Sequence, residues 1–306
     1  MDQLLWGIDL GGTKTEGVVV QMDRGLQVIE RMRIPTEREK GYRHILGRIR
    51  ELLAELEKST GMKATRIGIG TPGTLDPRTG LLKNSNTICL NGMPLLADLE
   101  SLLGIPVNIA NDANCFALAE TLAGAVADIQ PVPEAVFGVI LGTGVGGGLV
   151  VNGKVLGGCH GIAGEWGHNF LHESGGPCYC GRTGCVETVI SGTALEQYYS
   201  ANSGRKLPLP ELVELHLKGT DELATRVIER LLDYFARAIA SVINIVDPEV
   251  VVIGGGVGNI DLLYTEGAKR VRRYIFNDRL QTRFMKPLLG DSAGVFGAAL
   301  LTRKNL

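Results

Sequence analysis

Three cysteines and a histidine crowd one short stretch of this 306-residue chain. Between Gly167 and Glu187 it reads GHNFLHESGGPCYCGRTGCVE, with His168 ahead of Cys178, Cys180 and Cys185. Three thiolates and one imidazole complete a tetrahedral shell around Zn2+, and Gly181 and Gly184 let the backbone curl between the last two cysteines. Four protein ligands leave no open coordination position, so the pattern predicts a structural zinc and not a catalytic one. His160 and His172 compete with His168 as the fourth ligand, and spacing alone leaves that choice open. A disulfide or redox role is disfavoured by the lack of any Cys-x-x-Cys or secretory context. Cys89, Cys115 and Cys159 have no partner nearby in sequence and read as isolated thiols. Glu165 lies just before His168 and Glu187 just after Cys185, so closing the metal loop draws two carboxylates together as ligands for a polar substrate.

Glycine marks the other candidate sites. The chain has 42 glycines, and they cluster at 11–12, 142–148 and 254–256, as expected where backbone closely approaches something bound. GTGVGG at 142–147 satisfies G-x-G-x-x-G, but Leu-Val-Val-Asn-Gly-Lys-Val-Leu follows, a strand–turn–strand signature where a dinucleotide fingerprint must open a helix. Lys14 follows Gly-Gly-Thr without the spaced leading glycine of a Walker A loop. Two glycine hairpins remain, one with Gly11, Gly12, Thr13 and Lys14, the other with Gly142, Thr143 and Gly144. Each offers backbone N–H groups and a hydroxyl to a polyphosphate. Asp9, ending the first strand, is placed to reach Mg2+ through water.

The elements that carry these residues follow from hydrophobic period. LLWGIDL, GVVV and QVIERMRI read as a three-stranded meander, with Asp-Arg-Gly at the second turn. Residues 39–58 then switch to three-and-four spacing, a helix stopped near Gly61. RIGIG is a strand ending in the turn-rich TPGTLDPRTG, and IPVNIA runs into the helix NDANCFALAETLAGA. The pattern begins again with the strand AVFGVIL, the glycine turn 142–148, the strand region LVVNGKVL, a long amphipathic helix over 221–246 and the strand VVVIGGG. Two related α/β halves are implied. The weakest boundary lies around Gly124 to Pro133, and DSAGVFGAALLTRKN closes the chain as a helix.

Apolar residues at 44% and a net charge of −2 describe a globular chain with no electrostatic case for nucleic acid or an anionic membrane. No apolar run approaches bilayer length, and the residues after Met1 lack the parts of a signal peptide, so a cytoplasmic location is expected.

DLGGTKT, the GxPG at 70–73, NDAN at 111–114, LGTGVGGG, AGEWGH at 163–168, CxCGxxGCxE and DPxxVVIGGG resemble the ROK sugar kinases, in that family's order and across essentially the whole chain. The resemblance implies an α/β, two-lobed, actin-like ATPase fold of the ribonuclease-H-like kind, with duplicated mixed-sheet domains and a cleft that closes on its substrates. The domains would be 1–122, completed by the closing helix 293–306, and 123–292, carrying the zinc loop. It implies ATP and Mg2+ as cofactors beside structural Zn2+, and transfer of phosphate to the 6-hydroxyl of a hexose. Asp112 would be the general base, although Asn111 or Asp112 could instead merely cap the following helix. Gly73, Asn111, Asp112, Glu165, His168 and Glu187 would hold the sugar, His168 giving one ring nitrogen to zinc and the other to sugar. Gly254, Gly255 and Gly256 would lie on the adenosine side. A homodimer or homotetramer is implied, with no nucleic-acid or membrane partner. AGEWGHN, PCYCG and NSNTICLNGMPL look most like bacterial fructokinases, with Trp166 the distinguishing feature. Glucokinases, mannokinases and N-acetylhexosamine kinases share the scaffold. Repressor relatives carry a helix-turn-helix before the first glycine turn, and Asp9 already lies in the opening strand here.

Overall fold

The computed structural model describes residues 4–23 and 25–303. Arg24 of the second meander turn, Met1 and residues 304–306 of the expected closing helix lie outside the described residues. The elements run β1 (Leu4–Leu10), β2 (Lys14–Met22), β3 (Leu26–Pro35), α1 (Tyr42–Thr60), β4 (Ile67–Thr71), β5 (Thr74–Leu75), β6 (Leu82–Lys83), α2 (Leu95–Leu103), β7 (Val107–Asn111) and α3 (Asp112–Leu122). They continue as β8 (Ala135–Leu141), β9 (Val145–Val151), β10 (Lys154–Val155), α4 (Val186–Ile190), α5 (Gly192–Ser203), α6 (Leu209–Lys218), α7 (Glu222–Val246), β11 (Val250–Gly254), α8 (Glu266–Val271), β12 (Arg283–Met285) and α9 (Ala293–Leu300). The described residues divide into two compact units. One comprises those up to Asp128, Gly148–Ala163 and those from Leu288; the other comprises Ile129–Gly147 and Gly164–Pro287.

The first sheet has the order β3-β2-β1-β4-β7. Its first three strands form the antiparallel meander, while β4 runs parallel to β1, and β7 parallel to β4. Alternation along β1 sends Trp6, Ile8 and Leu10 to one face, where they share a core with Ile45, Ile49, Leu52 and Leu56 of α1. α1 starts at Tyr42 because Gly41 interrupts the chain after a single 3-10 turn at Arg38–Lys40, and it ends at the left-handed Gly61. The opposite face is covered by α9, which needs bare backbone beneath it. A Cβ on Gly68 would lie 1.7 Å from the Ala298 carbonyl oxygen, and one on Gly7 would lie 2.4 Å from the Ala299 nitrogen.

The second sheet has the order β10-β9-β8-β11-β12, with β11 parallel to both β8 and β12. The glycine turn expected over 142–148 is confined to 142–144, because β9 already begins at Val145. Gly147 lies in that strand, where a Cβ would come within 2.5 Å of the Gly164 carbonyl oxygen and the Trp166 ring. α7 spans Glu222–Val246, capped by the Asp221 carboxylate accepting from the Ala224 N–H at 2.9 Å. Its buried stripe includes Val227, Ile228, Leu231, Leu232, Phe235 and Ile239. No described helix is long and apolar enough to cross a membrane.

Candidate active site and metal centre

In the first unit, β1, β4 and β7 are parallel neighbours, so their C-terminal ends lie side by side, the usual place for ligands in α/β sheets. Asp9, Gly73 and Asn111–Asp112 stand there or just beyond. Asp9 pairs across to Gly70, and Cβ positions on Gly70 and Gly294 would fall 3.3 and 3.1 Å from its carboxylate oxygens, so glycines on both sides make room for it. Burial pushes the Asp9 carboxyl up to about 7, helped by the charges of Asp112 and Glu16 and opposed by Lys14. Glu16 is already paired with Arg31 and Arg33, so Asp9 and Asp112 are the acids that could meet a divalent cation here, and Asp9 would be its protein contact.

The adjoining turn is pinned from β3. The Thr36 hydroxyl donates to the Gly11 carbonyl at 2.7 Å, and the Thr36 N–H donates to that of Thr13 at 3.0 Å. Thr13 and Lys14 stay exposed beyond that anchor.

Where β7 becomes α3, Asn111 is the cap: its Oδ1 accepts from the Ala113 N–H at 2.9 Å, and its Nδ2 donates to the Gly73 carbonyl at 3.3 Å. Gly73 has φ 89, and a Cβ there would collide with Lys83 and Ser85 backbone, so only glycine fits. Asp112 also accepts from the Ala113 N–H, at 2.8 Å. Its surface is open to solvent, yet the protein massed around it raises its carboxyl above the ordinary range, outweighing the hydrogen bonds from Ala113 and Asn111.

In the second unit the glycines gather at the ends of parallel β8 and β11, where Ile140 pairs with Gly254. The Gly142 N–H donates to the Gly144 carbonyl at 2.9 Å, while the Gly142 carbonyl accepts from the Gly192 N–H at 2.8 Å. Gly255, at φ 82, passes so near β8 that a Cβ would lie 2.2 Å from the Leu141 carbonyl oxygen. The Glu187 Oε2 accepts from the Val145 N–H at 2.9 Å, so one of its oxygens ties the first turn of α4 to the glycine turn. Gly144 faces that oxygen, which leaves no space for a side chain there.

His168, Cys178, Cys180 and Cys185 place one donor atom each within 4.8 Å of one another. Cys178 Sγ lies 3.6 Å from His168 Nδ1, and Cys180 Sγ lies 3.6 Å from Cys185 Sγ. Tetrahedral zinc with Zn–S near 2.3 Å spaces its donors by about 3.5–3.8 Å, so the set fits that ion. His172 instead turns its Nδ1 to the Ser174 hydroxyl at 2.7 Å, and His160 is not in the cluster. Burial holds the Cys178 thiol high and pushes that of Cys185 up to about 12.

Tyr179, between two of the thiols, was not singled out by the sequence analysis. Its hydroxyl lies 2.9 Å from His168 Nε2, the ring nitrogen other than the one beside the Cys178 thiol, and the two rings meet edge to face. Much of the Tyr179 side chain is exposed, yet the protein massed around it, then the charges of Glu187 and Glu165, push its phenol up to about 12. The signal for it was its position inside Cys-Tyr-Cys. Trp166 is buried against Phe137 and donates its indole N–H to the Gly146 carbonyl at 3.2 Å; it holds the Glu165–His168 turn in place.

The ROK family model matches residues 5–305. The chain belongs to the ROK family. An N-acetyl-D-glucosamine kinase from Yersinia pseudotuberculosis is 38% identical over 308 residues, covering 97% of this chain and 98% of that protein. A ROK hexokinase from Thermus thermophilus superposes with a TM-score of 0.85 at 34% identity, covering 98% of this chain and 97% of the other. A ROK family glucokinase from Streptomyces griseus, solved with glucose and AMPPNP, gives 0.76 at 27%, covering 98% and 99%. The ROK resemblance and the actin-like α/β fold expected from sequence are thereby established. The curated relative named here is an N-acetyl-D-glucosamine kinase where the loop motifs suggested fructokinases.

Proposed function

We propose that this ROK protein is an ATP-dependent sugar kinase that phosphorylates the 6-hydroxyl of N-acetyl-D-glucosamine, with Asp112 as general base. The observation that carries the base is the division of labour at the start of α3. Asn111 caps the helix, and the neighbouring carboxylate stays open to solvent with a proton affinity above that of an ordinary aspartate. The substrate assignment leans on the 38% identity to an N-acetyl-D-glucosamine kinase across nearly the whole of both chains.

In the proposed reaction the sugar hydroxyl gives its proton to Asp112 as its oxygen attacks the terminal phosphorus, and ADP leaves. Gly11–Lys14 and Gly142–Gly144 supply N–H groups and hydroxyls to the phosphates, and Gly254–Gly256 flank the nucleoside. Mg2+, held through Asp9, would neutralise phosphate charge. His168, Cys178, Cys180 and Cys185 would hold Zn2+, which fixes the loop on which Glu165 and Glu187 face the sugar. Gly73 and Asn111 complete the sugar contacts, and a homodimer is the proposed assembly.

The test is ADP release over a panel of N-acetyl-D-glucosamine, N-acetyl-D-mannosamine, glucose, mannose and fructose. N-acetyl-D-glucosamine should give the highest kcat/KM; a higher value for fructose would return the assignment to the loop motifs. Asp112→Asn should lower kcat by a factor of about 10² to 10⁴ with sugar affinity preserved, the range of general base catalysis.

A further inference from the structure

The segment after β3 carries an arginine that none of these roles uses. Thr36, fully buried, fastens this segment to the first glycine turn through Gly11, Thr13 and the Thr15 hydroxyl at 2.8 Å. Glu37 follows in the left-handed conformation, φ 52, which is strained for a side-chain-bearing residue. Lys40 and His44 hold it there, His44 at 2.7 Å. Arg38 is thereby set against the turn: a Cβ on Gly12 would lie 3.0 Å from its Nη1. The arginines nearby are paired, Arg31 and Arg33 with Glu16 and Arg48 with Glu51. No ion pair or hydrogen bond joins the Arg38 guanidinium to another described residue.

A second group points the same way. Thr87 is 2% exposed, its hydroxyl has no hydrogen-bond partner among the described residues, and it lies 3.7 Å from that same point over Gly12. A buried hydroxyl is seldom left unsatisfied without a ligand to meet it. A guanidinium and a hydroxyl therefore converge on one spot over Gly12.

We infer that Arg38, aided by Thr87, grips the phosphoryl group held at the first glycine turn. The inference rests on the kinase reading and deepens it. The planar fork of arginine matches two phosphate oxygens at once, and charge that spreads over those oxygens during transfer strengthens the contact.

The test compares wild type, Arg38→Ala, Arg38→Lys and Thr87→Val by steady-state ADP release and by calorimetric binding of Mg-AMPPNP. Arg38→Ala should lower kcat/KM for ATP about 100-fold, the order for losing one charge-stabilising donor, with KM for sugar and Tm little changed. Arg38→Lys should recover part of the loss, and Thr87→Val should weaken AMPPNP binding with Tm held. Activity of Arg38→Ala equal to wild type overturns the inference, as does a loss that appears in Tm and sugar KM instead. If wild type turns over no sugar, the kinase reading fails separately; AMPPNP affinity then decides for Arg38, and equal affinity in wild type and Arg38→Ala refutes it.

Discussion

Asn111 caps α3 while Asp112 keeps an exposed carboxylate beside it, a distinction that the motif Asn-Asp-Ala-Asn leaves entangled. Either side chain could cap α3 on chemistry alone, and both accept from the Ala113 N–H; Asn111 is the cap because it stands before the helix with extended backbone, φ −63 and ψ 150, and it also reaches the Gly73 carbonyl, while Asp112 is already the first helical residue. Asp9 shows a related conflict, since it is a carboxylate held where charge is disfavoured. Its carboxyl is pushed from an ordinary 3.8 up to about 7, so the folded chain keeps a proton that the unfolded chain releases. This group's contribution to stability is therefore present at low pH, falls as pH climbs from about 4 to about 7, and stays lost above that. Asp9→Asn keeps the shape without the charge. The melting temperature of wild type minus that of Asp9→Asn, taken in metal-free buffer, should decline across this interval. A difference that is constant with pH would mean that Asp9 ionises as easily as an exposed aspartate.

At the scale of elements, long periodic segments were legible and glycines that serve packing were not. α1 and α7 could be read to within a few residues because each buries one apolar stripe and ends at a definable cap. α2, α5 and α6, each at most 12 residues long, went unread, although α3 and α9 of no greater length were read. Gly146–Gly148 look like a turn in sequence yet lie in β9, where Gly148 must pass Ala113, a contact visible only in three dimensions. The His168–Cys178–Cys180–Cys185 cluster was legible because its members are local in sequence, whereas the link from Glu187 to Val145 spans 42 positions and leaves no local trace. The same packing use of glycine governs α9. Gly68→Ala would drive a methyl group to 1.7 Å from the Ala298 oxygen, and backbone cannot yield as a side-chain tip can. The substitution should cost about 3 kcal/mol, at the upper end for overpacking, read from urea unfolding of the first unit. Gly104→Ala, at a helix end with nothing within 4 Å, carries only the penalty of φ 68 and should cost less.

At the scale of the molecule, folding, metal and sugar are linked through one equilibrium, because whatever binds the folded chain and not the unfolded one stabilises it. A sugar present at 100 times its Kd adds about 2.7 kcal/mol. At roughly 2–4 °C per kcal/mol, the figure for chains of 150–250 residues, the melting point should rise by about 5–10 °C. N-acetyl-D-glucosamine should produce this shift in wild type and equally in Asp112→Asn, since the proposed role of Asp112 is to take a proton and not to set affinity. Fructose at the same concentration should give a smaller one. On the proposed zinc site, stripping the metal should lower the starting melting temperature and diminish the sugar shift as well, because His168, Cys178, Cys180 and Cys185 would then release the segment that carries Glu165 and leads into Glu187. A stripped protein that melts lower but keeps the full shift would confine the metal to stability and separate it from recognition. A fructose shift exceeding that of the amino sugar would mean that the loop motifs, and not whole-chain similarity, report the substrate.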